Sequence, residues 1–185
     1  MLKWQEHFVK HYNFAFDGWD KPGVFVCGGA ARGYALNEEF GDIDIFFDSP
    51  QTFVDFYQHI LSKGVEYIIQ NDEDVVLTLR NGRQYYQLYK KSFFKSWEEV
   101  VDDFDFTNCQ FAVDHQRLSY WTAQGYKDAV NKELRAHKLK FPVIALRRIE
   151  KFLAAGYEPC DGFWADTINR LKAIEDTHAN VRTSP

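Results

Sequence analysis

The sequence predicts an α+β protein in which a mixed β-sheet flanked by helices is followed by a small C-terminal helical lobe. Two observations lead to this fold class. Over residues 1–122, short runs rich in β-branched and aromatic residues alternate with segments of helical periodicity. Residues 123–185 show mainly helical patterns. We therefore expect two domains, one over residues 1–122 and one over residues 123–185.

The helices are predicted from the spacing of apolar residues and from their caps. Ser49 before Pro50 supplies an N-cap and a proline suited to the first helical position, and Ser96 with Glu99 forms a capping box. The predicted helices cover residues 2–16, a short segment after Gly29, residues 49–63, residues 96–103, a segment opening at Pro142, and one lined by Trp164, Ile168, Leu171 and Ile174.

The strands are predicted from short runs that alternate or are continuously apolar. Asn81-Gly82 separates two such runs and is a strong hairpin signal, because both residues accept the positive φ of a type I′ turn. The predicted strands cover residues 24–27, 42–47, 65–70, 75–80, 84–89, 106–113 and 118–122.

Two carboxylates share one face of the second predicted strand. Asp42 and Asp44 alternate with Ile43 and Ile45, so they project together about 6.6 Å apart along the chain, while the isoleucines face the core. Carboxylates held this close repel each other unless a cation lies between them. Oxygen ligands suit Mg²⁺ or Mn²⁺, so this pair is a candidate metal site.

A glycine pair precedes these aspartates. Gly28-Gly29 stands between a strand and a short helix, where the backbone can approach a ligand closely and aim amide N–H groups at an anion. Arg32 follows in the first turn of that helix, where a cation opposes the helix dipole unless an anion lies nearby. The alternatives are that the glycines only form a tight turn, and that Arg32 only pairs with Glu39 or Asp42.

These residues carry a resemblance to a known superfamily. The stretch VFVCGGAARGYALNEEFGDIDIFF, residues 24–47, resembles the active-site signature of polymerase-beta-like nucleotidyltransferases. It is most similar to the branch of tRNA nucleotidyltransferases (CCA-adding) and poly(A) polymerases, which reads G-G-x-x-R-D and then K-D-I-D-I. FDFTNCQFA, residues 104–112, resembles the R-R-D-F-T-I-N-A-L-A motif of that branch, and PVIALRRIEKF, residues 142–152, is a weaker match.

The resemblance implies metal-dependent transfer of a nucleoside monophosphate from a nucleoside triphosphate to a hydroxyl, with release of pyrophosphate. Residues 1–122 are then the catalytic domain. The site residues that it implies are Asp42 and Asp44 as catalytic ligands of Mg²⁺ or Mn²⁺, Gly28, Gly29 and Arg32 on the triphosphate, and Asp105 on the nucleotide sugar or in a supporting role. For Asp105, metal ligation and a simple turn aspartate in the run Asp102, Asp103, Asp105 remain alternatives.

The sequence also departs from the family pattern. Asp103 and Phe104 replace two arginines, Gly33 replaces the aspartate after Arg32, and Gln87 stands where many members carry a third carboxylate. The base-reading motif E-D-P-x-R corresponds to residues 140–144, which lack its carboxylate and its arginine. CCA addition is therefore not expected, although the residues of the core chemistry are retained.

Charge is distributed unevenly along the chain. Residues 132–151 hold seven basic and two acidic residues, hence +5, whereas residues 1–131 hold twelve basic and twenty acidic residues, hence −8. Arg147 and Arg148 lie in the basic segment and are candidate phosphate contacts, because they fall on the helix opened by Pro142. A solvated helical surface would carry the same charges. The net charge of −5 does not favour recognition of a long DNA duplex.

Composition also bears on the cellular compartment of the protein. Hydrophobic residues make up 45% of the chain, but no apolar run approaches the ~20 residues of a membrane helix, and MLKWQEHF is too polar for a signal peptide. Three cysteines, Cys27, Cys109 and Cys160, show no metal-ligand spacing. We expect reduced thiols, a cytoplasmic location and no membrane partner.

Three hypotheses follow for function. The first is an active nucleotidyltransferase whose hydroxyl acceptor is a small molecule, a protein side chain or an RNA end. The second is a nucleotide-binding module without turnover, which the glutamine at position 87 and the missing arginines favour. The third is a toxin-like or phage-defence transferase that modifies tRNA, which differs from the first in its partner.

Overall fold

A computed structural model describes residues 2–68, 76–140 and 142–182. The chain divides into two compact units. The first, here called the sheet unit, comprises Met1–Asp102 and Gln110–Thr122, and the second, the helical unit, comprises Asp103–Cys109 and Ala123–Pro185. The functional division predicted after residue 122 stays a prediction.

The sheet unit combines four helices with seven strands within its described residues. The helices are α1 (Lys3–Phe16), α2 (Gly29–Leu36), α3 (Pro50–Leu61) and α4 (Trp97–Asp102). The strands are β1 (Val24–Cys27), β2 (Ile43–Phe47), β3 (Glu66–Ile68), β4 (Val76–Asn81), β5 (Gln84–Phe93), β6 (Phe111–Asp114) and β7 (Ser119–Trp121). Residues 69, 70 and 75 of the predicted strands lie outside the described residues.

The strands form one mixed sheet in the order β3-β4-β5-β2-β1-β6-β7. The pair of β2 with β5 is parallel, and the other pairs in the described residues are antiparallel. This arrangement places β1 and β2 next to each other near the middle of the sheet. The predicted α+β class, with a mixed sheet flanked by helices and a helical C-terminal part, is confirmed.

Local sequence signals explain where several elements begin and turn. The Ser49 hydroxyl accepts a hydrogen bond from the Thr52 amide at 3.1 Å, so it caps α3 as predicted. The hairpin is confirmed, but Asn81 ends β4 and pairs with Gln84, so the turn residues are Gly82 and Arg83. Gly82 alone of these has a positive φ, 60°, which is the pattern of a turn with glycine at its first central position. In β2, Ile43, Ile45 and Phe47 are buried. These aromatic and aliphatic side chains anchor the strand in the core.

Within the part of the helical unit that the structure describes, there are one short turn, three helices and a two-stranded parallel pair. Its elements are a 3₁₀ turn at Thr107–Cys109, α5 (Ala123–Asn131), β8 (Glu133–Leu134), α6 (Pro142–Ala154), β9 (Glu158–Pro159) and α7 (Phe163–Arg182). Its core is a cluster of buried apolar side chains, namely Phe106, Leu134, Ala136, Leu139, Ala145, Ile149, Phe152, Tyr157 and Phe163.

One prediction for these segments is wrong in detail. The strand expected over residues 106–113 begins only at Phe111, because residues 107–109 turn as a 3₁₀ helix and the Thr107 hydroxyl bonds to buried Asp128 at 2.6 Å. The helix predicted from the spacing of Trp164 and Ile168 is present as α7, in which these two residues are 50% and 49% exposed. The buried face of α7 instead contains Phe163 and Thr167.

No helix in the described ranges is both long and apolar enough to span a membrane.

Gly33 lies where the chain leaves no room for a side chain. A Cβ at this position would meet the Glu38 carbonyl oxygen and the Phe40 Cδ1 at 2.7 Å each. The Glu38 amide donates to the Gly33 carbonyl at 3.0 Å, so the backbone after α2 folds back onto this residue. The aspartate of the family motif therefore has no space here.

Gly33→Ala is expected to destabilise the sheet unit by about 1–3 kcal/mol, because overpacking outweighs the ~1 kcal/mol that alanine gains over glycine in a helix. Gly29→Ala is the matched control, since it makes the same change in the same helix and its Cβ meets nothing within 4 Å. Urea denaturation measures both. Equal stability of the two variants would show that the contact at Gly33 is not limiting.

Candidate active site

The glycine turn lies between the end of β1 and the start of α2. Gly28 has φ 75° and ψ −134°, a backbone that L side chains rarely adopt. Its amide donates to the Phe111 carbonyl at 2.9 Å, which continues the pairing of β1 with β6. Its carbonyl accepts from the Arg32 amide at 2.9 Å and so begins α2. The turn therefore changes the chain from strand to helix within one residue.

The first residue of α2 leaves its surroundings open. Packing inside the protein does not require a glycine at position 29, since an added Cβ would have no neighbour within 4 Å. The first amides of a helix have no acceptor within the helix itself. Gly29 thus gives a ligand access to the N-terminal end of α2, where amides and the helix dipole favour an anion.

The two predicted aspartates occupy one face of β2. Asp42 directly precedes the strand and is exposed, Asp44 is half-buried, and Ile43 between them is 1% exposed. The alternation of buried and accessible positions is the one predicted from the sequence. The pair is therefore directed away from the Ile43 and Ile45 face.

The strand register places Asp44 beside the glycine turn. Asp44 is paired with Cys27 of β1, and Gly28 is the next residue after Cys27. Paired residues of antiparallel strands have Cα atoms about 4.5–5.5 Å apart. The carboxylates and the glycine turn thus lie at the same end of the neighbouring strands β1 and β2, although 14 positions separate Gly28 from Asp42 in the sequence.

Cys27 adds no thiolate to this site. The residue is fully buried, and burial together with the charge of Asp44 raises the pKa of its thiol well above the ordinary value. Mg²⁺ and Mn²⁺ also prefer oxygen donors to sulfur. The candidate donor set remains one of oxygen atoms.

Gln87 completes the polar cluster on the other side of β2. It is paired with Asp44 in the parallel register of β2 and β5, and its Nε2 donates to the Asp42 carboxylate at 3.1 Å. Where a third carboxylate was expected, the chain thus carries an amide side chain beside Asp42 and Asp44. In the described ranges, no group of three or more His, Cys, Asp or Glu side chains is placed to hold a metal ion.

The donor set nevertheless fits one kind of cation. Mg²⁺ is commonly held by one or two carboxylates, with water and substrate phosphates filling the remaining positions. Asp42 and Asp44 supply two carboxylates beside an amide that has an oxygen of its own. They are the residues that would hold Mg²⁺ or Mn²⁺.

Arg32 is paired within the protein. Its Nε lies 3.2 Å from a carboxylate oxygen of Glu38, and its side chain is 11% exposed. The sequence offered Glu39 or Asp42 as a partner for Arg32. The structure shows an ion pair with Glu38, the residue before Glu39. The predicted role of Arg32 on a triphosphate stays a prediction.

The remaining predicted residues lie in the helical unit. Asp105 is 4% exposed, pairs with the Arg148 guanidinium and accepts a hydrogen bond from the Lys140 amide at 3.4 Å. These contacts account for a buried carboxylate without a nucleotide. Arg147 is exposed on α6. The nucleotide roles of Asp105, Arg147 and Arg148 stay predictions.

Gln84 is a positioning residue that the sequence did not single out. It is 5% exposed, and its Nε2 donates to the carbonyl of Gly41, the residue before Asp42, at 2.7 Å. Its Oε1 lies 3.3 Å from the His7 Nε2. The hairpin signal at Asn81-Gly82 could have indicated this residue, because Gln84 begins β5 and β5 pairs with β2.

Solved structures define the class of fold. The chain is similar to the Bacillus stearothermophilus CCA-adding enzyme in complex with CTP, with 16% identity, a TM-score of 0.60 and coverage of 86% of this chain and 42% of that one. It is also similar to the Thermotoga maritima CCA-adding enzyme complexed with tRNA, with 18% identity, a TM-score of 0.61 and coverage of 97% and 43%. The fold is that of the nucleotidyltransferase head, which confirms the resemblance.

The family is shown by sequence. The model of Gad2, described as Gabija anti-defense 2 family protein, matches residues 3–132, and the chain belongs to this family. A protein of Bacillus phage SPbetaL7, Gabija anti-defense 2, is 25% identical over 136 residues, which are 72% of this chain and 34% of the relative. The chain thus spans about a third of that relative and less than half of each CCA-adding structure.

Proposed function

We propose that the chain transfers a nucleoside monophosphate from a nucleoside triphosphate to a hydroxyl acceptor. The observation that carries the proposal is the register of β1 and β2, which sets Asp44 beside the Gly28-Gly29 turn. A triphosphate held at the glycine turn then has its phosphates next to the carboxylate pair. Solved relatives described with CTP and with tRNA support a nucleotide donor and an RNA end as one candidate acceptor.

The chain's own residues would perform three tasks. The amides at the start of α2 bind the triphosphate, with Arg32 as a candidate additional contact. Asp42 and Asp44 hold Mg²⁺ or Mn²⁺, which neutralises phosphate charge and lowers the pKa of the acceptor hydroxyl. Gln84 and Gln87 fix the Gly41 carbonyl and the Asp42 carboxylate, so that the pair is pre-positioned.

The reaction balances without a further reactant. The acceptor oxygen forms a bond to the α-phosphorus, and the bond between that phosphorus and the oxygen bridging to the β-phosphate breaks. Pyrophosphate leaves, and the hydroxyl proton passes to water. Positioning and charge neutralisation supply most of the acceleration in such transfers.

The family membership supports a biological setting for this chemistry. The phage relative is named for anti-defence, and we propose that nucleotidyl transfer is the means by which this chain acts in that setting. The acceptor is then a molecule of the host cell, with an RNA end, a protein hydroxyl or a small molecule as candidates.

A second candidate is a module that binds a nucleotide without turnover. Gln87 in place of a third carboxylate and the pairing of Arg32 with Glu38 favour it. Incubation with each of the four ribonucleoside triphosphates and Mg²⁺ or Mn²⁺, with total cell RNA or protein as acceptor, separates the two. Pyrophosphate release with labelling of one acceptor supports transfer, whereas triphosphate binding without release supports the module.

Gly29→Ala tests the glycine turn directly. The added methyl group fills the open space over the start of α2, so we expect triphosphate affinity to fall at least about tenfold, which corresponds to about 1.4 kcal/mol. Stability should stay equal or rise by up to ~1 kcal/mol, since alanine favours a helix. Calorimetric titration with ATP and thermal unfolding measure the two effects. Unchanged affinity in a folded variant would remove the glycine turn from the site.

A further inference from the structure

A second cleft of the sheet unit adjoins the aspartate pair. It has a volume of about 700 Å³ and lies between the first half of α1, the loop that ends at Asp42, and the hairpin that joins β4 to β5. We call it the α1 cleft. Asp42 is one of its lining residues. Its volume lies within the range of about 300–1,000 Å³ typical of small-molecule sites.

Flat rings form one wall of the α1 cleft. The imidazole of His7 lies with its ring centroid 5.8 Å from that of Trp4 and 4.6 Å from that of His11, in edge-to-face arrangements. Burial lowers the pKa of His11 to about 4, and the charges of His7 and Lys10 act in the same direction. This imidazole is therefore neutral at neutral pH and provides a ring face and a polar nitrogen.

Two cations line the same cleft. Lys10 extends from α1 and Arg83 from the hairpin turn, and both residues are exposed. Among the described residues, neither is part of an ion pair. A phosphate group bound by both would gain two charge-assisted contacts that the protein itself does not supply.

The wall of the cleft is bonded to the backbone beside Asp42. Gln84 links the two, because its Oε1 lies 3.3 Å from His7 Nε2 while its Nε2 donates to the Gly41 carbonyl at 2.7 Å. A ligand seated on His7 thus contacts the network that holds Asp42, which lines the same cleft.

The cleft combines rings, unpaired cations and an adjacent carboxylate, and this combination suits a nucleotide. We propose that the α1 cleft binds a nucleotide unit of the acceptor, with its base against Trp4 and His7, its phosphate on Lys10 and Arg83, and its ribose hydroxyls toward Asp42. This inference rests on the proposed nucleotidyl transfer. The unit is either a free nucleotide or the terminal nucleotide of a single strand, which share this chemistry.

The test is equilibrium binding to the full chain without divalent metal, in EDTA, with labelled AMP and with a 5′-labelled oligoadenylate of eight nucleotides. We expect Lys10→Ala/Arg83→Ala to weaken binding of at least one probe tenfold or more. Lys91→Ala/Lys95→Ala removes two exposed lysines elsewhere and should change it less than twofold. Tighter binding of AMP assigns the cleft to a free nucleotide, and tighter binding of the oligonucleotide assigns it to a strand end.

Equal losses in the two double variants, or no loss in either, would overturn the inference. So would a Lys10→Ala/Arg83→Ala protein that binds both probes normally but loses affinity for ATP with Mg²⁺, because the cations would then serve the donor. Imidazole NMR signals of His7 should shift on addition of AMP, and unshifted signals would contradict the assigned wall. Failure of the proposed function is distinct from these results, since it appears as an absence of pyrophosphate release while probe binding to the cleft persists.

Discussion

Replacing Asp44 by asparagine is expected to reduce nucleotidyl transfer at least about 100-fold. Even outer partners of metal ligands are worth about 10- to 100-fold in metal affinity or activity, so a direct ligand should be worth no less. Asparagine keeps the shape of the side chain in the half-buried position between Cys27 and Gln87. The loss should therefore come from the missing charge rather than from the fold.

The measurement is pyrophosphate release at saturating triphosphate, accompanied by calorimetric titration of ATP with and without Mg²⁺. Asp44→Asn should remove the metal-dependent part of ATP affinity. Asp55→Asn is the matched control, because Asp55 is a part-exposed residue of α3 that pairs with Lys21 at 2.9 Å and accepts from the Gln51 side chain at 2.7 Å. A folded Asp44→Asn protein with normal turnover would leave the carboxylate pair without its assigned role.

Asp128→Ala is expected to lower the free energy of unfolding of the helical unit by about 1–3 kcal/mol. The Asp128 carboxylate is fully buried and accepts hydrogen bonds from the Thr107 hydroxyl at 2.6 Å, the Gln124 amide at 2.7 Å and Arg135 Nε at 3.1 Å. Removing it leaves the buried Thr107 hydroxyl without its acceptor, whereas Gln124 is exposed and part-exposed Arg135 keeps Glu133 at 3.3 Å. Leaving one buried polar group unsatisfied typically costs this amount.

The same carboxylate makes the stability of the helical unit depend on pH. Burial acts to raise the pKa of Asp128, but the bonds from Thr107, Arg135 and Gln124 outweigh it and hold this pKa below the ordinary value. A lowered folded-state pKa stabilises the fold above the unfolded value of about 3.9, and that stabilisation is lost as pH falls through the folded pKa. Asp128→Ala should therefore flatten the acid side of the stability curve.

Urea denaturation from pH 7 to pH 3 measures both effects. Asp166→Ala is the control, because Asp166 forms an exposed pair with Arg170 one turn along α7. We expect the control to cost no more than about 1 kcal/mol and to leave the pH profile unchanged. A similar cost for the two variants would contradict the buried network.

The glycine turn and the carboxylate strand could be predicted because their signals are local. Ile43 and Ile45 alternate with Asp42 and Asp44 at the period of a strand, and burial in the structure follows that alternation. A glycine pair between a strand and a helix likewise predicts a tight turn of the backbone. Their adjacency in space was predicted only through the family resemblance, since no local pattern sets the register of Cys27 with Asp44.

Other features depend on partners that a local pattern does not name. The 3₁₀ turn at residues 107–109 interrupts an apolar run because Thr107 bonds to Asp128, which lies 21 positions away. Trp164 and Ile168 have helical spacing, but so do Phe163 and Thr167, and packing in the helical unit buries the second pair, with Leu171 partly buried against the same core. The pairing of Arg32 with Glu38 was not predicted for the same reason, because the turn after Gly33 brings that glutamate back to the helix.

The central claim is that Asp42 and Asp44 together hold a divalent cation beside a triphosphate at the glycine turn. Anomalous diffraction from crystals soaked with Mn²⁺ and a non-hydrolysable ATP analogue tests it most directly. We predict an anomalous peak within about 2.5 Å of both carboxylates, with the triphosphate over Gly28 and Gly29. A nucleotide bound elsewhere, or Mn²⁺ held without these two aspartates, would contradict the account.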